Sequence, residues 1–108
     1  HDMAHPSEAI RAIRNAIKSD GTWFIADVHC GASLEENLAE ANPLLPMLYG
    51  FSVLCCMSSS LSEPGGEGLG TVGFGEAMAQ KMTQEAGFSS FRRHDFDNPL
   101  NAYYELKV

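Results

Sequence analysis

The sequence predicts an α/β fold in which helices pack against a sheet made of one buried strand and a C-terminal antiparallel hairpin. Three observations carry this prediction. An amphipathic pattern over Ser7 to Lys18 leads through a glycine turn into the apolar run "TWFIADV". A later helical pattern stops at Gly87, and two strand-like segments joined by "DNPLN" close the chain. With 108 residues, 44% of them apolar, the chain is sized for one domain, 1–108, around one modest core.

The first helix is set by Ala9, Ile10, Ala12, Ile13, Ala16 and Ile17, which recur at helical spacing. Pro6 and Ser7 stand where a helix starts, Glu8 and Lys18 complement its two ends, and Gly21 lies just past it. "TWFIADV" is rich in β-branched and aromatic residues and does not alternate until Asp27. That pattern belongs to a strand covered on both faces, as in a parallel sheet. Helix, turn and strand make half of a βαβ unit, so its other strand is expected before His1.

A helical segment from Leu34 to Ala41 follows, then Asn42-Pro43, then the apolar helix "LLPMLYGFSVLCCM". Pro46, Gly50 and Ser52 interrupt that helix, and it is too short to cross a bilayer. Six of the ten glycines fall between Gly65 and Gly75. "GGEGLGTVGFG" does not follow a strand and lacks the dinucleotide-binding context, so it reads as a flexible lid or hinge loop rather than a phosphate cradle. "FGEAMAQKMTQEAGF" is a helix with Ala77, Met78, Met82 and Ala86 on its buried side, the methionines filling the core. "FSSFRRHDF" and "AYYELKV", joined by turn residues, form the hairpin.

The net charge is −7, and between Lys18 and Lys81 there is no Lys or Arg while eight acids lie in that interval. Such a surface excludes nucleic acid and anionic membranes as partners. Cys30, Cys55 and Cys56 are odd in number and show no disulfide-scaffold spacing. With no secretory signal visible, reduced thiols and a cytoplasmic location are expected. Adjacent Cys55 and Cys56 point in different directions from a helix, so no metal site with His29, Cys30 or His94 is expected. Neither has a visible base or lowered pKa, and both are expected as small buried apolar residues rather than nucleophiles.

"HDMAHPSEAIRAIRNAIKSDGTWFIADV" at one end and "MTQEAGFSSFRRHDFDNPLNAYYELKV" at the other, in this element order, resemble the C-terminal half of class I S-adenosylmethionine-dependent methyltransferases, particularly the O-methyltransferase-like branch. The resemblance covers essentially the whole chain. It implies the C-terminal half of a Rossmann-like methyltransferase sheet whose last strand runs antiparallel to the rest. "HDM" then leaves the fourth strand, and the cofactor loop, the ribose-holding acid and the first four strands lie upstream. It also implies transfer of a methyl group from S-adenosylmethionine to a small-molecule acceptor, with the donor bound mainly by that upstream half. The 108 residues alone are expected to bind it weakly and to be inactive.

In the family resembled, the His of a His-Asp-Trp-type segment is the general base that deprotonates an acceptor hydroxyl. His1 stands there, with Met3 in place of the Trp, and an imidazole suits the task because it titrates near neutrality. A cofactor-pocket or loop-structural role for His1 stands beside the catalytic one, and Asp2 is a candidate to orient it. Asp27 closes its strand at the carboxyl edge, the end where α/β sheets place ligands, and reads equally well as a charge leaving the sheet into solvent; His29 and Cys30 follow in the same loop. His5 belongs to the helix start. Tyr49, Ser52 and Cys56, at i, i+3 and i+7, form a polar stripe that either lines the acceptor pocket or serves helix or dimer packing. Arg92 and Arg93 read as surface charge, because strand residues alternate sides. A reading from another class is a non-catalytic α/β interaction module. Under either, self-association through an exposed sheet edge or the apolar helix is expected.

Overall fold

A computed structural model describes all 108 residues. Along the chain it contains α1 (Pro6–Ala16), β1 (Thr22–Val28), α2 (Leu34–Ala39), α3 (Leu45–Phe51), a π-helical turn (Ser52–Cys56), α4 (Met57–Ser60), α5 (Glu76–Glu85), β2 (Ser90–His94) and β3 (Asn101–Lys107). The order of elements is the one the sequence predicts, with the long apolar helix running as α3, π turn and α4 in succession. No helix is long and apolar enough to cross a membrane.

The strands form one sheet in the order β1-β3-β2, with β3 antiparallel to both neighbours. β1 and β2 therefore run in the same direction with the last strand inserted between them. Asn98 sets the hairpin turn: its Oδ1 accepts from the backbone N–H groups of Leu100 and Asn101, each at 2.9 Å. Along β3, Ala102, Tyr104 and Leu106 are buried while the residues between them face outward. Those inward residues meet Ile25 of β1, Ile10 of α1, Ala79 and Met82 of α5, and Phe74 and Phe88.

Two expectations about burial are corrected. β1 is not covered on both faces: Ile25 is buried, but Phe24 is 49% exposed and Ala26 faces solvent. Helices α1 and α5 join the core from the same side of the sheet, so the opposite face keeps its apolar residues at the surface. Phe24 there stacks on Tyr103 with ring centres 6.0 Å apart, and His94 stacks on Phe96 at 5.7 Å. In α5 the buried stripe is Ala79, Met82 and Thr83, whereas Ala77 and Met78 are exposed. A polar residue belongs to that stripe because Thr83 Oγ1 donates to the Ala79 carbonyl at 2.8 Å, satisfying its hydroxyl within the helix.

The π turn has a geometric effect. Residues four apart drift around an α-helix by about 40° per step, and a wider π turn cancels part of that drift. Leu48, Ser52 and Ser60 consequently stay on the buried side with Cys56 half-buried between them, while Val53, Leu54 and Cys55 point out.

Candidate active site

Asp27 extends the inward row of β1 that begins with Trp23 and Ile25, and sits at its carboxyl end. Its Oδ1 accepts from the Val28 backbone N–H at 2.6 Å, which fixes the carboxylate. The same oxygen accepts from His1 Nδ1 at 2.5 Å, and the two side chains are 20% and 13% exposed, His1 first. The bond to Asp27 is the main reason the His1 pKa rises to about 9; burial opposes the rise, and the Asp27 charge and Cys56 add to it. The resting pair at neutral pH is an imidazolium on a carboxylate. Nδ1 is committed to Asp27, which leaves Nε2 to exchange a proton with a ligand.

The segment His1–Ser7 is held from outside by the glycine-rich stretch. Gly70 N–H donates to the His1 carbonyl at 3.1 Å and Glu67 N–H to the Ala4 carbonyl at 2.9 Å. The Glu67 carboxylate accepts from Ser7 N–H at 2.9 Å and from Ser7 Oγ at 2.7 Å. His5 Nε2 lies 3.2 Å from Glu63. This stretch is thus a docked strap rather than the free lid its composition suggests. Gly70 adopts φ +74°, and a Cβ there would come within 2.5 Å of Ser52 Oγ, so only glycine passes this close to the π turn.

Of the sequence-predicted site residues, the structure brings His1 and Asp27 together with Cys56 as a further neighbour of the imidazole. Asp2 is exposed, and the residue that orients the ring is Asp27. The stripe of Tyr49, Ser52 and Cys56 is divided among three partners: Tyr49 OH accepts from Asn37 Nδ2 at 3.2 Å, Ser52 is buried beneath Gly70, and Cys56 approaches His1. None of the three lines a cavity. An apolar hollow of about 130 Å³ between α1 and β1 has His1 and Asp27 at its polar end and Ile10, Trp23, Ile25 and Phe74 among its walls. It lies on the inward face of β1, against α1, and touches no residue of β3.

Two further hollows flank the loop after β1. One, of about 430 Å³, runs between Gly31, the glycine-rich stretch and the Met78 and Lys81 side of α5. The other, of about 360 Å³, is polar, with His29 Nε2 3.4 Å from Glu40 and Arg93 paired to Glu76 at 2.8 Å. Cys30 is buried there, and burial pushes its thiol up to about 11, which keeps it protonated and poorly nucleophilic. Cys55, expected inside, is exposed because the π turn directs it outward; Cys56 is half-buried. No group of three or more His, Cys, Asp or Glu side chains is arranged to hold a metal ion. Arg92 is exposed and points away from the Arg93–Glu76 pair by strand alternation. No protein-family model and no curated protein sequence matches this chain.

Proposed function

We propose that the chain is the C-terminal portion of a Rossmann-like, S-adenosylmethionine-dependent methyltransferase domain that moves a methyl group to a small-molecule acceptor hydroxyl in the cytoplasm. The observation that carries this reading is the His1–Asp27 pair, which unites residues 26 positions apart at the carboxyl end of β1. The insertion of β3 antiparallel between two strands of common direction supports it, since the resemblance implies a last strand of that orientation. So does the unpaired edge of β1, where the other strand of a βαβ unit would pair.

The glycine-rich stretch spends the N–H groups of Glu67 and Gly70 on the Ala4 and His1 carbonyls, so that these two serve the His1–Ser7 segment rather than a ligand. Under the proposal the donor is bound mainly by residues upstream of His1. S-adenosylmethionine supplies a methyl group already activated as a sulfonium, so no covalent enzyme intermediate is required. His1 in its neutral form takes the acceptor's hydroxyl proton on Nε2, and Asp27 fixes the ring and stabilises the imidazolium that results. A chain that includes the upstream half is expected to transfer labelled methyl from S-adenosylmethionine to a panel of small alcohols and phenols. The 108 residues alone are expected to show no tight binding of that donor by calorimetry. No transfer across the panel sinks the reading, and tight binding to the short chain refutes the division of labour.

One observation favours a second reading, the non-catalytic module. Phe51, Val53 and Leu54 on the outward side of the long helix are 52%, 67% and 77% exposed, and β1 presents an unpaired edge. Self-association through either surface is expected in sedimentation at micromolar concentration, with Leu54→Glu returning a monomer if the helix is responsible. A clean monomer for the unaltered chain removes the basis of this reading.

A further inference from the structure

The strap described above makes its contacts where they matter for the His1–Asp27 pair, and one side chain dominates them. α1 has no side-chain cap of its own: its N-cap residue is His5, which makes no such bond. Glu67 supplies what is missing. Its carboxylate takes both the backbone N–H and the hydroxyl of Ser7 in the first turn, where a negative charge also suits the helix dipole. Its backbone N–H meanwhile holds Ala4, and three residues further on Gly70 N–H holds His1. One residue thus ties the start of α1 to the loop that carries His1, and at Gly70 the strap passes close against Ser52 and Met57.

We infer that Glu67 is a positioning residue for His1, fixing the His1–Ser7 segment so that the imidazole stays on Asp27 with Nε2 presented to the acceptor. Its link to turnover rests on the methyl-transfer reading, but its link to the ring does not. Glu67 touches neither the imidazole nor any reacting atom, and acts through Ser7, Ala4 and the adjoining Gly70. Because Glu67 is exposed, the bonds it makes add little to global stability, and the effect of losing them is local.

The test titrates the His1 ring by NMR in the 108-residue chain, whose pKa near 9 depends on Asp27 and, less, on Cys56. Glu67→Ala is expected to lower that pKa by about half a unit, because the segment, left with only the backbone bonds at Ala4 and His1, spends more of its time off Asp27. Glu67→Gln, which keeps an acceptor for Ser7, is expected to restore most of the difference. Arg14→Ala is the control: it removes the 2.7 Å bond from Arg14 Nε to the Gly87 carbonyl at the far end of α1 and should leave the His1 titration unchanged. In the longer chain, Glu67→Ala should lower turnover about tenfold with the acceptor KM nearly constant. An unchanged His1 titration in Glu67→Ala, or an equal shift in Arg14→Ala, overturns the positioning role. A shifted titration together with no methyl transfer by the unaltered longer chain upholds it and condemns the methyl-transfer reading instead.

Discussion

His1→Gln in a chain that carries the upstream half is expected to lower turnover about 10³-fold while leaving donor affinity within about twofold, since general-base contributions span about 10² to 10⁴. The expectation follows from geometry, because His1 Nδ1 is held by Asp27 at 2.5 Å and Nε2 is the nitrogen left for chemistry. The pH dependence gives a sharper form of the same prediction. With the pKa raised to about 9, the neutral imidazole is the minor form at pH 7, and the rate should climb about tenfold per pH unit before levelling near 9. Asp27→Asn removes the main cause of the rise, so its profile should level nearer the ordinary 6.5 but at a lower plateau, the ring having lost its orienter.

The same pair is visible in stability without any assay of turnover. A group whose pKa is raised on folding contributes stability that is full below its unfolded value, here 6.5, and is lost as pH rises through about 9. The contribution is at most about 3 kcal/mol, and nearer 2 after allowing for the ring's partial contact with water. Urea unfolding at pH 6 and pH 9.5 should reveal that loss in the unaltered chain and not in Asp27→Asn. A rate independent of pH between 7 and 9, or His1→Gln with unchanged turnover, assigns His1 a structural role.

Much of the fold was legible because the helix and strand periodicities are strong and local. Ile10 and Ile13 mark the inner side of α1, and Ala102, Tyr104 and Leu106 mark that of β3. β1 misled because Phe24 is apolar for a reason that periodicity does not encode: it packs sideways on Tyr103 within the sheet's outer face rather than beneath a helix. In α5 the register slipped because Thr83 looks polar in the sequence and is apolar in effect, its hydroxyl satisfied by Ala79. At the site, His1 was recognisable by the segment it begins, whereas Asp27, closing an apolar strand, read equally well as a charge leaving the sheet into solvent. Their pairing was not recognisable, because Asp2 is next to His1 in the chain while Asp27 reaches it only through the turn of α1 back onto β1. The strap was hidden for a similar reason: glycine content suggests freedom, and only the tertiary bonds of Glu67 and Gly70 show that these glycines serve close approach.

Leu106→Ala is expected to cost about 3 to 4 kcal/mol, within the range of about 2 to 5 for deleting a buried leucine side chain. Leu106 is fully buried on the central strand, facing Trp23 of β1 on one side and Phe91 of β2 on the other. A cavity there cannot collapse easily, because both neighbouring strands are held in register and α5 covers them with Ala79 and Met82. Domains of this size have total stabilities of about 5 to 15 kcal/mol, so the loss removes a large share and should lower the urea midpoint with little change in slope. Leu54→Ala, at 77% exposure, should change the stability of the monomer by less than about 0.5 kcal/mol. If the two substitutions cost the same, the core is not where β3 places it. If Leu106→Ala alone is severe, the core lies where β3, inserted between β1 and β2, places it.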